Sequence, residues 1–348
     1  MRLLRFGFMV ALVGTVTVGA WAYTEVEEGC DVAPSGGVLI KNIAGSINVQ
    51  AWDRDRVEVK ARLGAGVKRL DFDCTPRRTE IEVVVPHWFR RHIESHLEVF
   101  VPRMGDLEVE AVSADVHVEN VAGTLKLEAV SGDVTVVGGA EWINAKAVSG
   151  DVTLNGDAKY FDVRATSGHV AIAGNADELD VETASGDIEI NGSFGAVKIE
   201  AISGDVEIAG SVSDLIIETV SGDISAARVL KTAAAESVSG EVRLTADRLT
   251  DGDFATISGR IECDTGLAEQ AELEIESVSG AVALTLPQDL AATFSISSFT
   301  GSIRNDFGPQ AQRVDQHGPG SELEFTLGDG AAQVDVETHS GNIRIRSR

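Results

Sequence analysis

Two groups of residues in this chain have the types and spacing that chemistry could use. The first is a column of carboxylates. Asp133, Asp151, Asp187, Asp205 and Asp223 each follow a glycine, at spacings of 18 residues or a multiple of it, with Asp115 and Glu241 continuing the column and His169 interrupting it. If each 18-residue step stacks on the last, successive carboxylates fall about 5 Å apart along one edge. Calcium is the ligand that such a row suggests, because some solenoids bind it through short Gly/Asp repeats. The second group is His92, Glu94 and His96. In an extended strand these alternate residues share one face and would offer two imidazoles and a carboxylate to zinc.

Both groups also have a plainer reading. Repulsion between carboxylates about 5 Å apart is only about 0.8 kcal/mol in a water-like dielectric. Each coil buries several aliphatic side chains worth about 1.5–3 kcal/mol apiece, so no cation is needed to hold the row together. A calcium site takes about six to eight oxygens from a converging loop, and one Asp per coil does not supply them. Leu97, Val99 and Val101 continue the alternation after His96, which makes the His/Glu trio the solvent face of a half-buried strand. A third column, Ser131, Ser149, Ser167, Ser185, Ser203, Ser221, Ser239 and Ser258, argues against nucleophilic catalysis, which needs one serine singled out by a base. Its hydroxyls are expected to bond corner backbone groups. No metal, cofactor or catalytic residue is expected.

The elements that position these columns are legible in the period. Gly132, Gly150, Gly168, Gly186, Gly204, Gly222 and Gly240 recur at a constant step of 18, the mark of a solenoid whose coils stack in turn. Counted from each glycine, the second residue is Val134, Val152, Val170, Ile188, Val206, Ile224 or Val242, and the fourth is also apolar. A second strand follows at the eleventh and thirteenth residues, among them Ile143, Phe161, Leu179, Val197 and Leu215. The same columns recurring from copy to copy predict strands that share one interior. Glycines at the sixth residue, from Gly138 to Gly210, predict a second corner. Gly259, Gly280 and Gly301 extend the corner column at longer steps, which reads as coils with insertions. The expected fold is all-β: a single-chain parallel β-solenoid of about 18-residue coils with capped ends, right-handed by the general preference for such crossovers.

The organisation expected around this array is a signal peptide at 1–22, a cap with degenerate first coils at 23–103, the regular array at 104–282, and C-terminal coils with a cap at 283–348. Arg2 and Arg5, the apolar run to Gly19 and Ala20-Trp21-Ala22 read as an export signal cut before Tyr23. The net charge of −26 becomes −28 when Arg2 and Arg5 leave with it, which argues against nucleic acid as a partner. No later segment could span a membrane as a helix. The composition, 43% apolar but 5% aromatic with 36 glycines, suits a core of Val, Ile, Leu and Ala. In an oxidising compartment Cys30 and Cys74 could pair and leave Cys263 as a buried thiol. Irregular stretches remain at His87 to Arg91, where Trp88 and Phe89 adjoin Arg90-Arg91, and at 305–320.

The repeated Val-Ser-Gly-Asp-Val unit, the Phe100-Val101-Pro102 lead-in to Leu107-Glu108-Val109, and the closing Thr338-His339-Ser340-Gly341-Asn342-Ile343 resemble the bacterial "putative adhesin" β-strand-repeat family, a domain of unknown function. The resemblance spans the mature chain and implies an exported β-solenoid with no catalytic residues to carry over. The function expected is that of a non-enzymatic scaffold or binding protein of the cell envelope, exported to the periplasm with the cell surface or secretion as alternative destinations, and with an envelope protein or a glycan as partner. The alternatives are a polysaccharide-active β-helix enzyme and a calcium-stabilised solenoid. Against the enzyme stands the exterior row Thr135, Thr153, Ala171, Glu189, Glu207, Ser225 and Arg243, which holds no convergent acid–base set.

Overall fold

The computed structural model describes residues 23–86, 93–314 and 319–348; among them are strands and no helix. The expected signal segment, His92 and the loop at 87–91 lie outside the described residues. The chain divides into two compact units, with the boundary after Asn175. In unit 1 the strands are β1 (Thr24–Asp31), β2 (Gly37–Trp52), β3 (Arg56–Leu63), β4 (Arg69–Cys74), β5 (Arg78–Val84), β6 (Ser95–Pro102), β7 (Leu107–Glu119), β8 (Thr124–Ser131), β9 (Val134–Val137), β10 (Trp142–Ser149), β11 (Val152–Asn155), β12 (Tyr160–Ser167) and β13 (Val170–Ser185), the last running past the boundary. Unit 2 continues with β14 (Ile188–Ser203), β15 (Val206–Ile208), β16 (Ser211–Ser221), β17 (Ile224–Ser239), β18 (Val242–Ser258), β19 (Ile261–Ser277), β20 (Val282–Leu286), β21 (Ala292–Ser298), β22 (Ile303–Asn305), β23 (Gln312–Arg313), β24 (Ser321–Leu327), β25 (Ala332–Thr338) and β26 (Ile343–Ser347).

The fold is an all-β parallel solenoid. Pairing follows the period, since Val152 lies opposite Val134 and Val170, and Ala145 opposite Leu127 and Val163. Each coil therefore gives one stretch of strand to a ladder of second and fourth residues and another to a ladder of eleventh and thirteenth residues. All four columns point inward: from Val134 to Val242 and from Ile143 to Ala235 none of them is more than 3% exposed. Alternation puts every second residue in this interior because successive side chains of a strand point to opposite faces. Aliphatic side chains fill it, so coils need no thick core to be stable.

The edges of the two units show how parallel coils are closed. In unit 1, β2 pairs in parallel with β7 on one side and with β5 and β6 on the other. Strands β3 to β6 thus lie outside β2, although they follow it in the chain. Antiparallel β3 and β1 then cover β6, and antiparallel β4 covers β5. A disulfide joins Cys30 of β1 to Cys74 of β4 and ties the two covers together. Such covers satisfy an edge that would otherwise offer unpaired N–H and C=O groups to another chain.

Unit 2 repeats the device and corrects one expectation. Spacing put Gly280 and Gly301 on successive coils. Instead β20 pairs with β26 and β26 with β22, while the other ladder runs β19, β25, β21. Along the corner Gly341 sits over Gly280, and Gly301 over Gly341. The last segment, 332–347, is inserted beneath the coil that precedes it in the chain. The reason is again an open edge: antiparallel β24 and β23 close it after β21 and β22 have formed the outermost coil.

Candidate functional site

The repeated corner is built from three neighbouring columns, each with a backbone task. Glycine comes first. Gly222 has φ +133°, and a Cβ there would overlap the carbonyl oxygen of Gly204 one coil below. Only glycine combines that conformation with so close an approach. Serine stands before it. The hydroxyls of Ser167, Ser203, Ser221 and Ser239 donate to the carbonyls of Val148, Ala184, Ile202 and Val220 at 3.1–3.4 Å. Aspartate stands after it. In unit 1 the N–H groups of Asp133, Asp151 and His169 donate to Oδ1 of Asp115, Asp133 and Asp151 at 2.8–3.1 Å. In unit 2 those of Asp205, Asp223 and Glu241 donate to Oδ1 of Asp187, Asp205 and Asp223 at 2.7–3.0 Å. Each carboxylate satisfies a corner N–H that the strand ladders leave over. One oxygen of each carboxylate is therefore committed to the next coil.

The His/Glu trio is placed in part. Glu94 and His96 lie 3.4 Å apart (Oε1 to Nε2), His96 Nδ1 is 2.9 Å from the Ser46 hydroxyl, and Tyr23 donates to Glu94 Oε2 at 3.3 Å. Leu97, Val99 and Val101 are buried behind them. The hydroxyls of Ser46 and Tyr23 thus engage the two side chains of the trio that the structure places. Among the described residues no three His, Cys, Asp or Glu side chains gather as a metal site. Cys263 is a buried free thiol, pushed up to about 12 by burial.

An open cavity of about 650 Å³ lies in unit 1, with Gly36, Arg77, Arg78, Asp106, Glu108 and Lys126 in its lining. Lys126 bridges Glu108 at 2.7 Å and Glu128 at 3.2 Å, and its hydrogen bond holds the Glu108 carboxyl below the usual carboxylate range. Asp106 accepts the N–H of Thr124 at 3.0 Å. Arg77 and Arg78 are left as the cations of this cavity without an ion-pair partner among the described residues. Such a surface could take a carboxylate or a sugar hydroxyl.

The model of the family described as Toastrack DUF4097 matches residues 74–229, 209–278 and 230–346. The chain belongs to the Toastrack DUF4097 family. Two solved structures resemble it more distantly. A "putative cell adhesion protein" from Clostridium sporogenes ATCC 15579 aligns over 92% of this chain and 99% of its own, at 11% identity and a TM-score of 0.20. A "putative adhesin" from Bacteroides fragilis NCTC 9343 aligns over 92% and 96%, at 9% identity and a TM-score of 0.25. At these scores neither likeness carries an argument about this chain. No curated protein shows significant similarity to it.

Two columns of this Toastrack chain escaped the sequence reading. Three residues before the corner glycine stands a small buried residue, such as Ala129, Ala147, Ala201, Thr219, Ser237 or Thr256. Two residues before it stands an exposed apolar one: Val112, Val130, Val148, Ile202, Val220, Val238, Ile257 or Val278. The signal was present as a recurring pair of a small residue and Val or Ile before Ser-Gly, interrupted at Ala165-Thr166 and Thr183-Ala184. Period-two alternation hid it, because four consecutive residues at the corner face outward and break the count.

Proposed function

We propose that the chain is an exported, non-enzymatic, adhesin-like protein that binds or scaffolds a partner in the bacterial cell envelope, with the periplasm as its compartment. Residues 1–22 serve as the export signal, and 23–103 and 283–348 cap the regular coils at 104–282. One observation carries the reading: the polar groups repeated along the corner are spent on the backbone of the adjacent coil, hydroxyl to carbonyl and carboxylate to N–H. No copy is set apart from its neighbours as a nucleophile with a base would be. What distinguishes one coil from another is the chemistry of its outward strand residues, and extended surfaces of this kind are what repeat proteins use to hold partners. Among the described residues no helix is long and apolar enough to cross a membrane.

The partner class is an envelope protein or a glycan. Affinity capture from envelope extracts with the mature chain, 23–348, should retain a partner that salt or soluble glycan displaces. Release of reducing ends from a panel of envelope polysaccharides would replace this reading with the enzyme.

A further inference from the structure

The exposed apolar column is the surface feature that corner architecture does not require. In unit 2 the ladder sets Ile202, Val220, Val238 and Ile257 in line, one per coil. Backbone hydrogen bonds from Val278 to Thr256 and from Ser279 to Ile257 place Val278 next, and those from His339 to Ser277 and from Ser340 to Val278 place His339 after it. Phe299 completes the row, its ring stacked on His339 at 4.9 Å between centroids and 12° between planes. The six apolar members are 43–59% exposed. A single exposed valine needs no explanation, but a contiguous row does. Strand propensity does not supply one, since threonine serves as well on a solvated strand.

The charge beside the row decides what can cover it. On one side lie Asp205, Asp223 and Glu241 before Arg260 interrupts. On the other side, Asp253, Glu274 and Asp335 stand opposite one another across β18, β19 and β25, and Glu276 stands opposite Glu337. Asp251 and Glu272 extend the same face. Among the described residues no Lys or Arg lies within ion-pair distance of these seven acids of the strand face. Glu276, and behind it burial, Asp253 and Asp335, raise the Glu274 carboxyl above its ordinary value. In unit 1 the matching column, Val112, Val130 and Val148, runs among ion pairs such as Lys126 with Glu128 and Lys41 with Glu110. In unit 2 such pairs are confined, among the described residues, to the start and the near side of the row, Lys198 with Glu200 before Ile202 and Arg243 with Glu241; beside Ile257, Val278 and His339 the seven strand-face acids are uncompensated. A second copy of the chain would bring like charge against like, and an anionic membrane would be repelled.

We propose that the row from Ile202 to Phe299 is a docking surface for a cationic amphipathic polypeptide segment, with apolar side chains on the row and Lys or Arg on the flanking acids. This rests on the binding-protein reading and names the surface and the chemistry of its partner.

The test uses the mature chain and three labelled twelve-residue peptides, alternating Lys/Val, Lys/Ser and Glu/Val, with binding followed by fluorescence anisotropy. The Lys/Val peptide should bind at least tenfold more tightly than Lys/Ser, and Glu/Val should not bind. The variant Val220→Thr/Val238→Thr/Ile257→Thr/Val278→Thr keeps β-branched side chains on an exposed face. It should lose tenfold or more in affinity for Lys/Val and nothing for Lys/Ser. Glu274→Gln/Glu276→Gln should weaken both cationic peptides. Equal binding of Lys/Val and Lys/Ser, or full Lys/Val affinity in the threonine variant, would overturn the proposal. So would a dimer in sedimentation that the threonine variant dissolves, or binding of the chain to phosphatidylglycerol vesicles. An envelope partner captured equally by parent and threonine variant would leave the binding-protein reading standing and refute the row. Peptide binding that depends on the row, without any envelope partner, would do the reverse.

Discussion

At Gly222 the backbone turns through φ +133° with no room for a Cβ beneath the Gly204 carbonyl. At Gly308, by contrast, φ is +126° and nothing lies within 4 Å of the place a Cβ would take. The two sites separate conformational cost from crowding. Gly308→Ala should cost about 1 kcal/mol, the penalty of a positive φ alone. Gly222→Ala adds overlap with backbone that cannot move aside, and should cost about 3 kcal/mol or more in urea unfolding. A second residue-scale case is Cys263, whose thiol burial pushes up to about 12 from an ordinary 9.0. It should resist thiol reagents at pH 8 in the folded chain and react at once in denaturant. The unfolded thiol ionises first, so this group leaves stability unchanged below about pH 9 and lowers it as pH rises from there toward about 12. A Cys263→Ala variant should lose that alkaline decline, which pH-dependent melts can follow.

Among the elements, the covers of unit 1 depend on a bond between two strands that do not pair with each other. β1 covers β6 through β3, β4 covers β5, and the Cys30–Cys74 bridge closes a loop of 44 residues between them. Loop-closure entropy puts its contribution at about 4 kcal/mol. Cys30→Ser/Cys74→Ser should lower unfolding free energy by up to that amount and expose 23–86 to protease before 107–175. How far the elements could be read in the sequence follows from what repetition encodes. The interior columns were legible because Val134, Val152 and Val170 do one job at one spacing. The carboxylates were legible as a column but not as hydrogen-bond acceptors: a pattern shows that Asp205 recurs, not that the N–H of Asp223 lacks a partner. The row from Ile202 to Val278 was overlooked because an apolar residue beside a buried one reads as more core.

At the scale of the molecule, chain order and spatial order part company at the outermost coil of each unit. The regular coils follow one another as the period says, yet β2 lies inside β3 to β6, and β25 with β26 lies inside β21 to β24. Spacing could not show this, because a 21-residue step from Gly280 to Gly301 looks the same whether or not Gly341 comes between them. Deleting 331–348 should therefore remove an inner coil, not a fraying end. Limited proteolysis should then cut between 283 and 327 at protease levels that spare the parent; resistance there would refute the inserted order. The claim on which the rest depends is that the corner carboxylates are acceptors for the adjacent coil, with no ligand of their own. Urea unfolding of the mature chain, with and without calcium, tests it on two variants. Asp205→Asn/Asp223→Asn keeps an acceptor oxygen at each site and should unfold within about 0.5 kcal/mol of the parent, whereas Asp205→Ala/Asp223→Ala should lose about 2 kcal/mol. An Asn pair as unstable as the Ala pair, or a parent that calcium stabilises and an Asn pair that it does not, would contradict the account.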